Sequence, residues 1–250
     1  MIEFTIGLAG QAVKVRANYE STRNFCRGYL TTNEPDFSVE ISREDIVYER
    51  QKSAKEDALE GIPAREFSDA YLETLAVYRK ITEEMLRRDT LLFHGSVIAV
   101  DGEAFLFTAK SGTGKSTHTR LWREVFGDRA VMVNDDKPLL KIGDNDVEVF
   151  GTPWNGKHHL GANISAPLKA ICILERGAEN QIREITPREA FPMLLQQSYR
   201  LADAGGMNSV LDLLDRLTQK CAFYRLQCNM DRQAALISYG AMSGNNHVEV

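Results

Sequence analysis

The sequence predicts a mixed α/β domain with helices flanking the sheet, preceded by a small β-rich lobe. Three observations carry this. An apolar, Phe-rich strand candidate, Glu103–Thr108, runs into a glycine-bearing turn and then a helical stretch over residues 117–126. Asp101-Gly102 separates that strand from the apolar run before it, and this dipeptide favours a type I′ hairpin turn. The strand entering the turn therefore has an antiparallel neighbour, unlike the parallel crossovers of common doubly wound folds. Finally, residues 1–7 and 11–17 alternate apolar and polar with the period of strands, and residues 36–42 place Phe37, Val39 and Ile41 on one face. The expected division is a lobe over residues 1–61, a domain over 62–244 and a loose tail over 245–250.

Composition narrows the function classes. A chain of 250 residues is long enough for a sizeable core. A net charge of −5 without a basic block argues against nucleic acid as a partner. No apolar run reaches the roughly 18 residues of a membrane span, and the N-terminus lacks a basic region followed by an apolar one. Cys26, Cys172, Cys221 and Cys228 show neither C-x-x-C spacing nor an accompanying His cluster. They read as reduced thiols, and the expected location is the cytoplasm.

Taken in order, residues 1–7 and 11–17 form a hairpin candidate about Ala9-Gly10, and residues 36–42 a third strand. Ser42 to Asp45 opens a short helix, or the stretch 46–50 extends the sheet. The polar segment 51–61 is the best linker candidate. Residues 63–88 form the longest helix, with Tyr71, Leu75, Tyr78, Ile81 and Met85 as its apolar stripe. Strands are expected at Ser96–Val100, 131–133, Leu139–Ile142, Val147–Phe150, 168–175, Gln181–Ile185 and 222–226. Thr186-Pro187-Arg188-Glu189 is a capped helix start, with an expected end near Ala202 and a break at Gly205-Gly206. A helix carrying Val210, Leu211, Leu214 and Leu217 follows, and Asp231 caps a last one ending near Gly244.

The chemistry concentrates at the turn after Thr108. Ser111, Gly112, Thr113, Gly114, Lys115, Ser116 and Thr117 fit a phosphate-binding loop, with Ala109 in the place of its first glycine. Glycines let backbone N–H groups turn inward around phosphate oxygens, and the following helix N-terminus adds partial positive charge. Lys115 reaches the β- and γ-phosphates of ATP, and the Ser116 hydroxyl ligates Mg²⁺. Asp135 and Asp136 end the next apolar strand. A loop of this kind needs a carboxylate on a neighbouring strand for the metal, and a second can accept a proton from an attacking hydroxyl. Alternation along a strand sends the two in opposite directions without saying which is which.

Phe93-His94-Gly95, the loop 109–117 and Val133-Asn134-Asp135-Asp136 together resemble the catalytic domain of HPr kinase/phosphorylase. They also resemble the nucleotide domain of ATP-dependent phosphoenolpyruvate carboxykinase. The resemblance covers residues 91–142 well and weakens beyond. It implies the HPr kinase/carboxykinase type of P-loop fold for the main domain. It further implies Asp135 as base toward the acceptor hydroxyl, Asp136 as the metal-side carboxylate and His94 as the group that orients the catalytic acid. An alternative for His94 is a buried histidine bonded to backbone. HPr-kinase-like proteins found beside peptide-modifying enzymes have a loop similar to Gly151-Thr152-Pro153-Trp154. On that likeness Lys157 supplies transition-state charge and Trp154 walls the acceptor site, with an ordinary surface turn as the alternative.

There are departures from the pattern. Thr117 stands where HPr kinases commonly have Glu, and Glu175-Arg176-Gly177 is only a faint echo of the Arg-Gly segment used for phosphorylase activity.

The leading expectation is an ATP- and Mg²⁺-dependent kinase whose acceptor is a hydroxyl, of a Ser/Thr in a protein or peptide or of a small molecule. A nucleotide-binding regulator without turnover is the alternative, and an ATPase or a carboxykinase-like enzyme ranks lower. GTP and pyrophosphate stay open as donors. Homo-oligomers are common in the resembled family.

Overall fold

The computed structural model describes residues 1–201 and 204–244, so the expected tail 245–250 and the helix end at Ala202 lie outside the described residues. Two units are distinct, Met1–Glu84 and Met85–Val250.

In the first unit, β1 (Ile2–Leu8) and β2 (Gln11–Ala17) form the expected hairpin. Ala9 and Gly10 take φ of 49° and 75°, the left-handed pair that a type I′ turn requires. After a short helix, α1 (Glu20–Phe25), β3 (Phe37–Glu40) lies parallel to β2. The unit is less β-rich than expected. An 18-residue helix, α2 (Arg43–Glu60), replaces both the short helix and the linker over 51–61. Its start is a reciprocal cap in which the Ser42 hydroxyl accepts from Asp45 N–H and Asp45 accepts from Ser42 N–H. The next helix, α3 (Asp69–Leu86), begins later than the expected Pro63, and the unit boundary falls within it rather than near residue 61.

Periodicity missed α2 because charge, not an apolar stripe, fixes much of it. From α3, Arg79 reaches Asp45 at 2.7 Å and Glu49 at 2.6 Å. Asp57 accepts from the backbone and guanidinium of Arg65, which holds the chain between the helices out of helical form. A buried Glu73 on α3 accepts from Asn18 and Tyr19 N–H, Asn18 Nδ2 and Thr22 Oγ1, so its charge replaces lost water with four donors.

The second unit is a three-layer structure. Its elements in order are β4 (Thr90–Leu92), β5 (Ser96–Val100), β6 (Glu103–Thr108), α4 (Lys115–Phe126), β7 (Ala130–Asn134), β8 (Leu139–Ile142), β9 (Val147–Phe150), β10 (Ser165–Arg176), β11 (Gln181–Ile185), α5 (Pro187–Gln197), α6 (Ala204–Thr218), β12 (Ala222–Cys228) and α7 (Arg232–Ser243). The strands join in one mixed sheet, β4-β8-β9-β10-β6-β5-β7, with β12 on β10 and β11 on β12. The β5–β6 hairpin forms as expected, with Asp101 and Gly102 at φ 52° and 86°. On its other side β6 has a parallel neighbour, β10, so the expected contrast with parallel crossovers holds for one side of the strand only.

Both faces of the sheet are covered. Val97, Leu106, Ile171 and Ile173 join Leu194, Val210, Leu213 and Leu214 of α5 and α6. Ile98, Phe105, Phe107 and Cys172 join Leu121, Trp122, Ala235 and Tyr239 of α4 and α7. Consecutive strand residues thus feed opposite cores, which is why β5 and β6 read as unbroken apolar runs. α5 carries its predicted reciprocal Thr186/Glu189 cap but stops at Gln197, where Tyr199 N–H donates instead to Leu92 C=O. Gly205 and Gly206 do not end a helix; they open α6, and a Cβ at Gly206 would fall 2.3 Å from Leu201 Cδ1.

Candidate functional site

The loop between β6 and α4 is set by glycine. Gly112 and Gly114 take φ of 73° and 124°, which side-chain-bearing residues rarely adopt. Ala109 is buried at a negative φ, so the missing first glycine costs this loop nothing in backbone strain. Thr113 turns back on Lys110 C=O through its N–H (3.2 Å) and its hydroxyl (2.8 Å). From the end of β10, the Arg176 guanidinium donates to the carbonyls of Gly112 (2.5 Å) and Thr113 (3.4 Å).

Lys115 opens α4 with a half-buried ammonium whose one hydrogen bond among the described residues goes to Ala109 C=O at 3.4 Å. Burial pushes its pKa down, and the nearby charges of Asp136 and Asp135 recover only part of that. Ser116 and Thr117 are half-buried in the first turn, whereas Ser111 is exposed on the lip of the loop.

The two carboxylates lie at the end of β7 in different surroundings. The buried Asn134 side chain accepts from Asp136 N–H (2.8 Å) and Lys137 N–H (2.7 Å) and donates to Thr152, which fixes the turn. Asp135 is 6% exposed and accepts from Ser96 Oγ at 2.6 Å; Ser96 also shares a 2.9 Å bond with Thr119 of α4. Asp136 is more open, with His94 Nε2 at 3.2 Å and Lys137 Nζ at 3.5 Å. Burial opposes its charge and is the largest single influence, yet His94 and Lys137 together hold its carboxyl below the ordinary value. His94 is itself held by backbone, its N–H on Gln197 C=O (2.7 Å) and its C=O accepting from Thr108 Oγ1 (3.1 Å).

The segment after β9 crosses this region. Gly151 is wedged so that a Cβ would lie 1.9 Å from Ala162 O and 2.7 Å from Val133 O. Gly156, at φ 72°, sits where a Cβ would be 3.2 Å from Asp136 Cβ, so this turn lies against the carboxylate. Lys157, the next residue, is exposed, as are His158 and His159, while Trp154 is buried.

The structure therefore gathers His94, Lys115, Asp135 and Asp136, with the Lys157 turn beside them. Ser96, Thr119, Lys137, Thr152 and Arg176 were not legible as site residues. Two had a local signal, since Ser96 follows His94-Gly95 and Lys137 follows the two acids. Thr119 lies on α4 just past the loop, and Thr152 and Arg176, quoted above only within their segments, come from the turn after β9 and the end of β10. Among the described residues no cluster of three or more His, Cys, Asp or Glu stands ready to hold a metal. Nor is any described helix long and apolar enough to cross a membrane.

Fold and site define a mixed α/β protein with a glycine-shaped strand-to-helix loop facing two carboxylates. The chain belongs to the family described as "SynChlorMet cassette protein ScmC", whose model matches residues 66–236. No curated protein matches it. A solved structure to which it is similar is the Hpr(Ser) kinase/phosphatase from Coxiella burnetii, at 11% identity over 62% of this chain and 95% of that one. The TM-score is 0.33, too distant a likeness to bear on fold or activity.

Proposed function

We propose that this protein is a kinase that transfers the γ-phosphate of a nucleoside triphosphate, ATP in the first instance, to a hydroxyl acceptor. The observation that carries the reading is Lys115. Its ammonium is half-buried at the start of α4, with no ion-pair partner among the described residues, beside a loop whose glycines free backbone N–H groups and across from two carboxylates. An unpaired cation kept at such cost suits an anionic ligand such as a triphosphate.

The donor set suits a small hard cation, because Ser116 and one carboxylate would offer it oxygen ligands beside those of the bound phosphates. Mg²⁺ held there supplies charge neutralisation on the transferring phosphoryl group. The surroundings favour Asp135 for the metal side, since it is buried and anchored through Ser96 to α4. Asp136 is the better base, being more open and paired with His94. This reverses the roles that the resemblance to HPr kinase implies. In the transfer, the acceptor oxygen bonds to the γ-phosphorus as the bond to the bridging oxygen breaks. The hydroxyl proton passes to Asp136, which His94 orients. Lys115 neutralises phosphate charge, and Lys157 adds to it as the turn bearing it covers Asp136.

The test is incubation with MgATP labelled on the γ-phosphate, together with a peptide fraction or a pool of small alcohols. Label should move to an acceptor, and Asp136→Asn should abolish transfer while leaving nucleotide affinity within a fewfold. Tight binding of ATP with no transfer to any pool would leave a nucleotide-binding regulator instead.

A further inference from the structure

On the other side of α4 from the carboxylates lies a cavity of about 540 Å³, within the roughly 300–1,000 Å³ of small-molecule sites. Its walls include Thr117, Leu121, Arg176, Gly177, Cys228 and Met230, and its rim is the loop itself, Gly112 to Gly114. Thr117 and Leu121 are four residues apart and share one face of α4. Thr119, which joins Ser96 beside Asp135, is about 200° away around the helix from Thr117. The loop and the helix N-terminus thus stand between the cavity and the acids.

We infer that this cavity receives the nucleoside of the phosphate donor, so that the donor is a nucleoside triphosphate and not an inorganic polyphosphate. The inference rests on the phosphate-loop reading above. A triphosphate on the loop with its terminal group toward Asp136 directs its other end to the opposite side of α4, where the cavity opens. The wall there is mostly apolar. Met230 is 76% exposed although it sits on a well-held turn. Asn229 beside it accepts from Asp231 N–H, donates to Ala178 C=O and hydrogen-bonds Asn180. An exposed methionine on a fixed turn is an adaptable apolar surface for a flat base. The charged groups that face the space leave it nearly neutral. The Arg176 guanidinium is engaged by the loop carbonyls, and burial keeps His118 uncharged, with a pKa near 3.

The test compares binding of the magnesium complexes of ATP and tripolyphosphate by calorimetry. ATP should bind at least tenfold more tightly than tripolyphosphate. Met230→Ala should weaken ATP about three- to tenfold and leave tripolyphosphate unchanged; that unchanged affinity also reports that the variant is folded. If tripolyphosphate binds as tightly as ATP, or Met230→Ala leaves ATP unaffected, the cavity is not the nucleoside site while the phosphate-loop reading stands. If neither ligand binds, the loop reading falls and the cavity assignment falls with it.

Discussion

Replacing Lys115 with methionine should make the protein more stable and unable to hold a triphosphate. The side chain keeps its length and apolar stem, so only the charge is removed. At neutral pH that charge is a net cost to the fold. Its pKa is lowered, which means that desolvation outweighs the attraction of Asp136 and Asp135, and its only hydrogen bond among the described residues is a long one to Ala109 C=O. Relief of a strained functional group of this kind is worth about 1 kcal/mol. For a chain of this size that raises Tm by roughly 2–4 °C. MgATP at about a hundred times its Kd should add some 2.7 kcal/mol to the wild type and nothing to the variant. Thermal melts with and without MgATP read both effects. A variant that melts lower than wild type, or that keeps the full ligand shift, would refute the reasoning, because the lysine would then be serving the fold.

Three further outcomes follow from the same geometry. Ser96→Ala removes the one donor to the buried Asp135 among the described residues and should cost about 2 kcal/mol in urea unfolding; a change below 0.5 kcal/mol would mean that Asp135 finds another partner. Gly151→Ala forces a methyl group against two backbone carbonyls and should cost roughly 3 kcal/mol or more; near-wild-type stability would mean that Gly151 is not wedged between Ala162 and Val133. Asp136 has a folded pKa below its ordinary 3.8, so its pairing stabilises the protein above that value and is lost as pH falls through the folded one. The stability gap between wild type and Asp136→Asn should therefore be present at about pH 5 and close as pH falls further; a gap that persists undiminished to about pH 2 contradicts the pairing.

Some of this was written locally in the chain. The turn pairs Ala9-Gly10 and Asp101-Gly102, the Thr186/Glu189 cap and the apolar runs of β5 and β6 were legible because each depends on neighbours within a few residues. So was the loop with Lys115, and the pair of acids at a strand end. α2 was not, because Asp45 and Glu49 are paired with Arg79, which lies well beyond it in sequence, and Asp57 with Arg65 in the segment that follows the helix. The same holds for Gly206, which looked like a helix breaker and is instead where Leu201 packs closely.

What the sequence determined by itself was the glycine-shaped loop, its lysine and the presence of two carboxylates, since backbone preference and residue type act where they stand. Only the tertiary structure decided how those carboxylates differ. Asp135 and Asp136 lie in the turn after β7, and Ser96 and Thr119 beside one, and His94, Lys137 and Gly156 beside the other, are brought there largely by β5, α4 and the turn after β9. Burial and charge at a site are sums over neighbours in space, and most of these neighbours are distant in sequence.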